Sequence, residues 1–137
     1  MDLQNLAYAL TQVAHNFGAV AVVGGPLFAR WPQRPEEPAR HRLAWLVFVG
    51  WMVQGASGAG FGAISYAYYG TFPDIHGIAV AALLLKMGCA LMGLTLAVLL
   101  LRYAAGWPPQ RRNAAWNGLL VLGVTALMAA AFLRWFS

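Results

Sequence analysis

Three polar side chains stand inside otherwise apolar runs of this chain: His15, Gln54 and Lys86. An imidazole is the commonest metal ligand and an axial ligand for haem iron. A lysine can ligate when neutral, or pair with a propionate or a quinone oxygen when protonated. Gln54 adds an amide that both donates and accepts. Ionisable groups at membrane depth are costly, which makes each one a functional hypothesis by default. The chemistry on offer is therefore binding of a metal or cofactor at His15, with Lys86 as second ligand or charged partner. Two blander readings stand beside it. His15 would simply bond Gln54, Asn16 or a backbone carbonyl, and Lys86 would snorkel to an interface.

Other constellations are missing. His41 and His76 fall at opposite rims, and His76 would sit about 15 Å in height from His15, too far for bis-histidine ligation. Asp74 beside His76 makes a two-residue rim site at most. Cys89 is the single cysteine, so intramolecular disulfides are impossible and a small packing role is expected. No His/Cys or carboxylate cluster indicates zinc, copper or a di-iron site. Met52, Met87, Met92 and Met128 are scattered, with no ladder for a conducted metal.

The elements that must position these residues follow from composition. The chain has 137 residues, 61% hydrophobic and 9% charged, with mean hydropathy +0.61. A soluble domain carries about 25% charge, so water is excluded as the solvent for this fold. A bilayer crossing takes about 20 apolar residues. The sequence predicts a single domain over 1–137, an all-α integral membrane bundle of four transmembrane helices at 3–29, 43–66, 75–101 and 114–136. Pro26 is expected to kink the first span or end it early. Met1-Asp2 lacks a positive n-region, so the first run is expected to stay as a true span.

The net charge of +5 reflects topology rather than nucleic-acid binding. Arg30, Arg34, Arg40 and Arg42 precede the second span, and Arg102, Arg111 and Arg112 lie between the last two. The loop between the second and third spans holds Asp74 and no Lys or Arg. The positive-inside rule then predicts cytoplasmic basic loops and two external termini, in a bacterial-type inner membrane. Trp31, Trp45, Trp107 and Trp116 would belt the inner interface, and Tyr66, Tyr68, Tyr69 and Trp135 the outer one. Measured from the outer side, His15 and Lys86 reach a similar depth, about 15 Å. Their neighbours at helical spacing are small or apolar: Gly18 or Ala19, Val22, and Gly25 or Pro26 for His15, and Ala82, Cys89 or Ala90, and Gly93 for Lys86. The run from Gly55 to Ala63 holds overlapping small-x-x-x-small pairs, so Gly55, Gly58 and Gly62 are expected to pack helices or make room for a planar ligand.

The segment HNFGAVAVVGGPLFAR, with LLLKMGCALMGLTLAVLLLR later, resembles the small membrane proteins grouped with the copper-resistance D domain and the HemJ-type protoporphyrinogen oxidases. The likeness covers about a third of the chain. It implies a haem b ligand at His15 and a lysine needed for activity or ligation at Lys86. A tryptophan frequent in the first-span pattern is replaced here by Ala21-Val22-Val23.

The functional expectation is a membrane protein that associates with haem b or a quinone and passes electrons within the bilayer. His15 would ligate iron, with Lys86 and Gln54 at the same depth and Arg30 or Arg102 anchoring propionates. The lipid bilayer is the first partner, followed by copies of itself or a larger membrane complex. Two other functions remain open: a structural or assembly subunit, and a small transporter of copper or another solute.

Overall fold

A computed structural model describes residues 2–31 and 35–137. Four helices follow one another: α1 (Leu3–Ala29), α2 (Glu37–Tyr69), α3 (Ile78–Tyr103) and α4 (Pro109–Phe136), with a short 3-10 turn at Ala104–Gly106. All four are long and apolar enough to cross a membrane. Arg34 of the basic loop lies outside the described residues.

Helix ends account for where the spans differ from expectation. The second begins at Glu37, six residues early, because Pro38 falls in its first turn, where a missing N–H costs nothing. Likewise Pro109 opens α4, with Pro108 as its cap. At the other end of α2, Gly70 adopts φ +70° and terminates the helix in the left-handed region. Asp2 caps α1, its carboxylate accepting from the Gln4 amide at 3.1 Å.

Pro26 does not end α1, which continues to Ala29. A proline there removes the hydrogen bond that the Val22 carbonyl would accept. That carbonyl abuts Gly123 of α4, where a Cβ would come within 2.9 Å of it. Only glycine lets α4 approach so closely.

Around the bundle the neighbours run α1, α2, α3, α4 and back to α1, with the α1/α2 and α3/α4 hairpins the tightest pairs. Glycines set each close approach. Gly18 faces Gly50 and Gln54, Gly25 faces Val47, and the Trp51 indole lies on the bare backbone of Gly93, where a Cβ would overlap the ring. The largest fully buried side chains are Trp51, Leu119, Val22, Val47 and Pro26. All lie nearer the basic loops than His15 does. The densest part of the core therefore fills the basic half, and the half bearing the termini is less filled. Trp116, expected in an interfacial belt, is instead 2% exposed within this core.

Candidate functional site

His15 is the midpoint of α1, and α2 meets it with a stripe at helical spacing: Gln54, Ser57 and Phe61. Gly18 and Gly50 bring the two helices close enough for short side chains to bridge them. The Gln54 side-chain amide donates to the His15 carbonyl at 2.6 Å. Ser57 Oγ donates to the Val53 carbonyl at 2.6 Å, and the same oxygen lies 2.6 Å from His15 Nδ1. A hydroxyl has one proton. With that proton on the Val53 carbonyl, Oγ accepts from Nδ1–H, and the imidazole is the Nδ1–H tautomer. Phe61 meets the ring edge-on, with centroids 5.7 Å apart.

That tautomer leaves a lone pair on Nε2, and Lys86 Nζ lies 3.0 Å from it. The lysine donates one N–H to the imidazole and keeps other donors. The bond crosses the bundle, since α1 and α3 sit diagonally in the ring of helices. The chain's four carboxylates, Asp2, Glu36, Glu37 and Asp74, all lie at helix ends or in the 70–77 loop. No carboxylate shares the depth of Lys86. An ammonium there has an imidazole to donate to but no counter-charge within the chain. Its other N–H groups meet no acceptor among the described residues.

Fit to the expected ligands can be judged from these distances. Two nitrogens on opposite sides of one metal ion lie about 4 Å apart, at about 2 Å each. His15 Nε2 and Lys86 Nζ are 3.0 Å apart, so they cannot be the two opposed axial ligands of one haem iron without separating, whereas adjacent positions on a single metal ion, about 3 Å apart, would suit that spacing. His15 alone could ligate through Nε2, with Ser57 orienting the ring from the far nitrogen. Among the described residues no group of three His, Cys, Asp or Glu side chains could hold a metal.

Expectation and structure part company at the arginines. Arg30 and Arg102 are exposed at the basic ends of α1 and α3, about 22–24 Å along their helices from His15 and Lys86. They cannot anchor any group bound there. The glycines expected to pack helices differ too. A Cβ at Gly55 or Gly58 would meet nothing within 4 Å, and one at Gly62 would only touch the Phe72 ring. Their side of α2 looks away from the bundle, and Gly18, Gly25, Gly50, Gly93 and Gly123 make the close contacts.

Ser57 went unnoticed in the sequence, although it stands three residues after Gln54 and so on the same face. A second polar cluster was also missed. At the basic end, Glu37 lies 2.6 Å from Arg112 and 3.6 Å from the buried Arg40, and Arg40 donates to Asn113 Oδ1 at 3.2 Å. This cluster ties the start of α2 to the start of α4 beside a cavity of about 260 Å³ walled by Leu100, Ala104 and Trp116. Arg111 stacks on Trp107 nearby, 4.5 Å from the ring centroid.

No family model, curated protein or solved structure matches the chain, which is shown by its own helices to be a four-helix integral membrane protein.

Proposed function

We propose that the protein is a membrane redox protein that binds a quinone-class ligand at the His15–Lys86 centre and passes electrons to or from a partner in the bilayer. The observation that carries this reading is the Lys86–His15 hydrogen bond at 3.0 Å, half-buried, with no carboxylate at its depth. A carbonyl oxygen delivered from the hydrocarbon supplies the acceptor that Lys86 lacks. Hydrogen bonds to charged groups are the stronger kind, so this one contact would dominate binding. Converting a quinone to a quinol takes up two electrons and two protons. The redox partner supplies both electrons; the Lys86 ammonium gives one proton to the oxygen it holds and is reprotonated from water, and the second oxygen takes its proton from water. The loop charges favour a bacterial-type inner membrane with both termini outside.

Haem b is the second reading, and Ser57 favours it. The ring is already held through Nδ1, as a ligating imidazole is, and Nε2 would meet iron in place of Lys86. The copper-resistance D and protoporphyrinogen oxidase resemblance belongs with this alternative.

The two readings separate in one spectrum. Purified protein in mild detergent should lack a Soret band and show an ultraviolet change on borohydride reduction, from co-purified quinone. That change should disappear in Lys86→Leu. A Soret band lost in His15→Ala would instead establish haem. A preparation with neither signal, in both detergent and native lipid, would defeat the redox reading.

A further inference from the structure

The hydrogen bond between His15 and Lys86 joins diagonal helices, yet neither residue is fully buried. An interior bond can be half-exposed only where the bundle is open. Its position relative to the four seams shows where.

The α1/α2 seam is closed by Gly18 on Gly50, by Tyr8 stacked on Phe61 and by Gln4 bonded to the Tyr69 hydroxyl. The 70–77 loop that leads from α2 to α3 folds back on α2, with Phe72 stacked on Tyr66 at 5.1 Å. The α3/α4 seam carries a groove lined almost wholly by apolar groups, including Ala82, Leu85, Met128 and Phe132. The remaining seam lies between α1 and α4.

The helical register shows how that last seam changes along its length. Gln12, Asn16, Ala19 and Val23 form one stripe on α1, at i, i+4, i+7 and i+11. At its lower end, Val22 and Val23 pack on Gly123, where a Cβ would come 3.2 Å from the Val23 side chain. Higher on the same stripe, Gln12 and Asn16 are exposed. Gly123 continues on α4 as Ala126 or Leu127, then Ala130 and Arg134; Ala126 is buried, Ala130 half-buried and Leu127 45% exposed. One seam is thus packed at Gly123 and looser above it, where Gln12 and Asn16 are exposed at the level of the half-exposed pair.

The side chains at the opening are polar. Gln12 Nε2 donates to Asn16 Oδ1 at 2.7 Å. That bond leaves the Asn16 NH₂ group and the Gln12 carbonyl available. Amides at mid-span facing only lipid would be costly, whereas polar groups are accommodated along a cavity.

We propose that the α1/α4 seam above Gly123 is the lateral entrance to the His15–Lys86 centre, and that Gln12 and Asn16 hold the second oxygen of a quinone-class ligand entering through it. The inference rests on the quinone reading for its ligand and on the helix register for its entrance, and the two halves are tested apart.

In a Cys89→Ala background, Asn16→Cys and Phe17→Cys are labelled in vesicles with a water-soluble thiol reagent. The two sites are at one depth, but Phe17, 73% exposed, is turned about 100° further round the helix. Only a thiol in a polar opening ionises and reacts well, so Asn16→Cys should label about tenfold faster. A short-tailed quinone should slow that labelling. In the single-cysteine-free protein, Gln12→Leu with Asn16→Leu should weaken quinone binding about tenfold. Equal labelling of the two cysteines overturns the entrance, even if the wild type binds quinone through Lys86. Fast labelling untouched by quinone, with unweakened binding in the double variant, overturns the role of the two amides. A wild type that binds no quinone defeats the ligand, and the labelling ratio still decides the entrance.

Discussion

Two polar clusters share this bundle, and they are built in opposite ways. At the basic rim, Arg40 and Arg112 are gathered around Glu37, and Asn113 takes a further N–H. Opposite charges meet, and the result pins α2 to α4. At mid-depth, Lys86 meets an imidazole whose other nitrogen is held by Ser57. Nothing there balances the lysine. A rim cluster in which a carboxylate bridges two helices reads as a clasp, with Arg112 Nε left buried and without a partner among the described residues. A membrane-depth lysine that the fold positions without a carboxylate partner is poorly explained by stability, since an apolar residue would be cheaper there.

Substitutions at the two clusters should therefore have opposite effects. The largest concerns Lys86→Leu, which should lower quinone affinity by about a hundredfold, the loss expected for a charge-assisted hydrogen bond. The same variant should unfold in detergent at a temperature equal to or above the wild type. A large loss of stability with unchanged ligand content would reverse the roles assigned here.

Arg112→Leu should do the converse, costing about 1 kcal/mol of stability by removing the shorter of Glu37's two ion pairs and leaving it with Arg40 alone, while ligand binding persists. The estimate is modest because Glu37 is 61% exposed, so water screens part of the loss. Thermal unfolding alongside a quinone titration reads both quantities. A smaller effect is expected for Ser57→Ala. Without the hydroxyl, the imidazole loses its tautomer restraint, and affinity should fall about fivefold to tenfold with one hydrogen bond of about 1 kcal/mol. Smallest of all, Gly55→Ala and Gly58→Ala should leave monomer stability within about 0.5 kcal/mol of wild type, since both Cβ atoms enter open space. Gly50→Ala offers the contrast, because its Cβ would press on Ala21 at 2.9 Å.

Much of the architecture was legible in hydropathy. Four apolar runs became four helices, and of the residues placed beside His15 and Lys86 by period alone, Gly18, Val22, Gly25, Pro26, Ala82, Cys89 and Gly93 are buried and Ala19 and Ala90 half-buried. Depth was legible because rise per residue is constant, and it brought His15 and Lys86 to one level before any contact was known. Rotation was not. The glycine-rich run of α2 announces close packing, but a helix small on several faces does not say which face turns inward. Gly50, one turn earlier among bulky residues, makes the contact instead. Arg30 and Arg102 were assigned by charge where axial distance along the helices excludes them. The clasp at Glu37 stayed hidden because its partners are distant in sequence, and ionic residues near span ends read first as topology signals.

The central claim is that Lys86 holds an oxygen-bearing redox ligand at the middle of the bundle. Its most direct test is a titration of the quinone-free protein, reconstituted in lipid nanodiscs, with a short-tailed quinone, read as quenching of tryptophan fluorescence. Saturable binding in the wild type and in Arg112→Leu, lost in Lys86→Leu, is the predicted result. Equal binding by wild type and Lys86→Leu, or none by either, would contradict it.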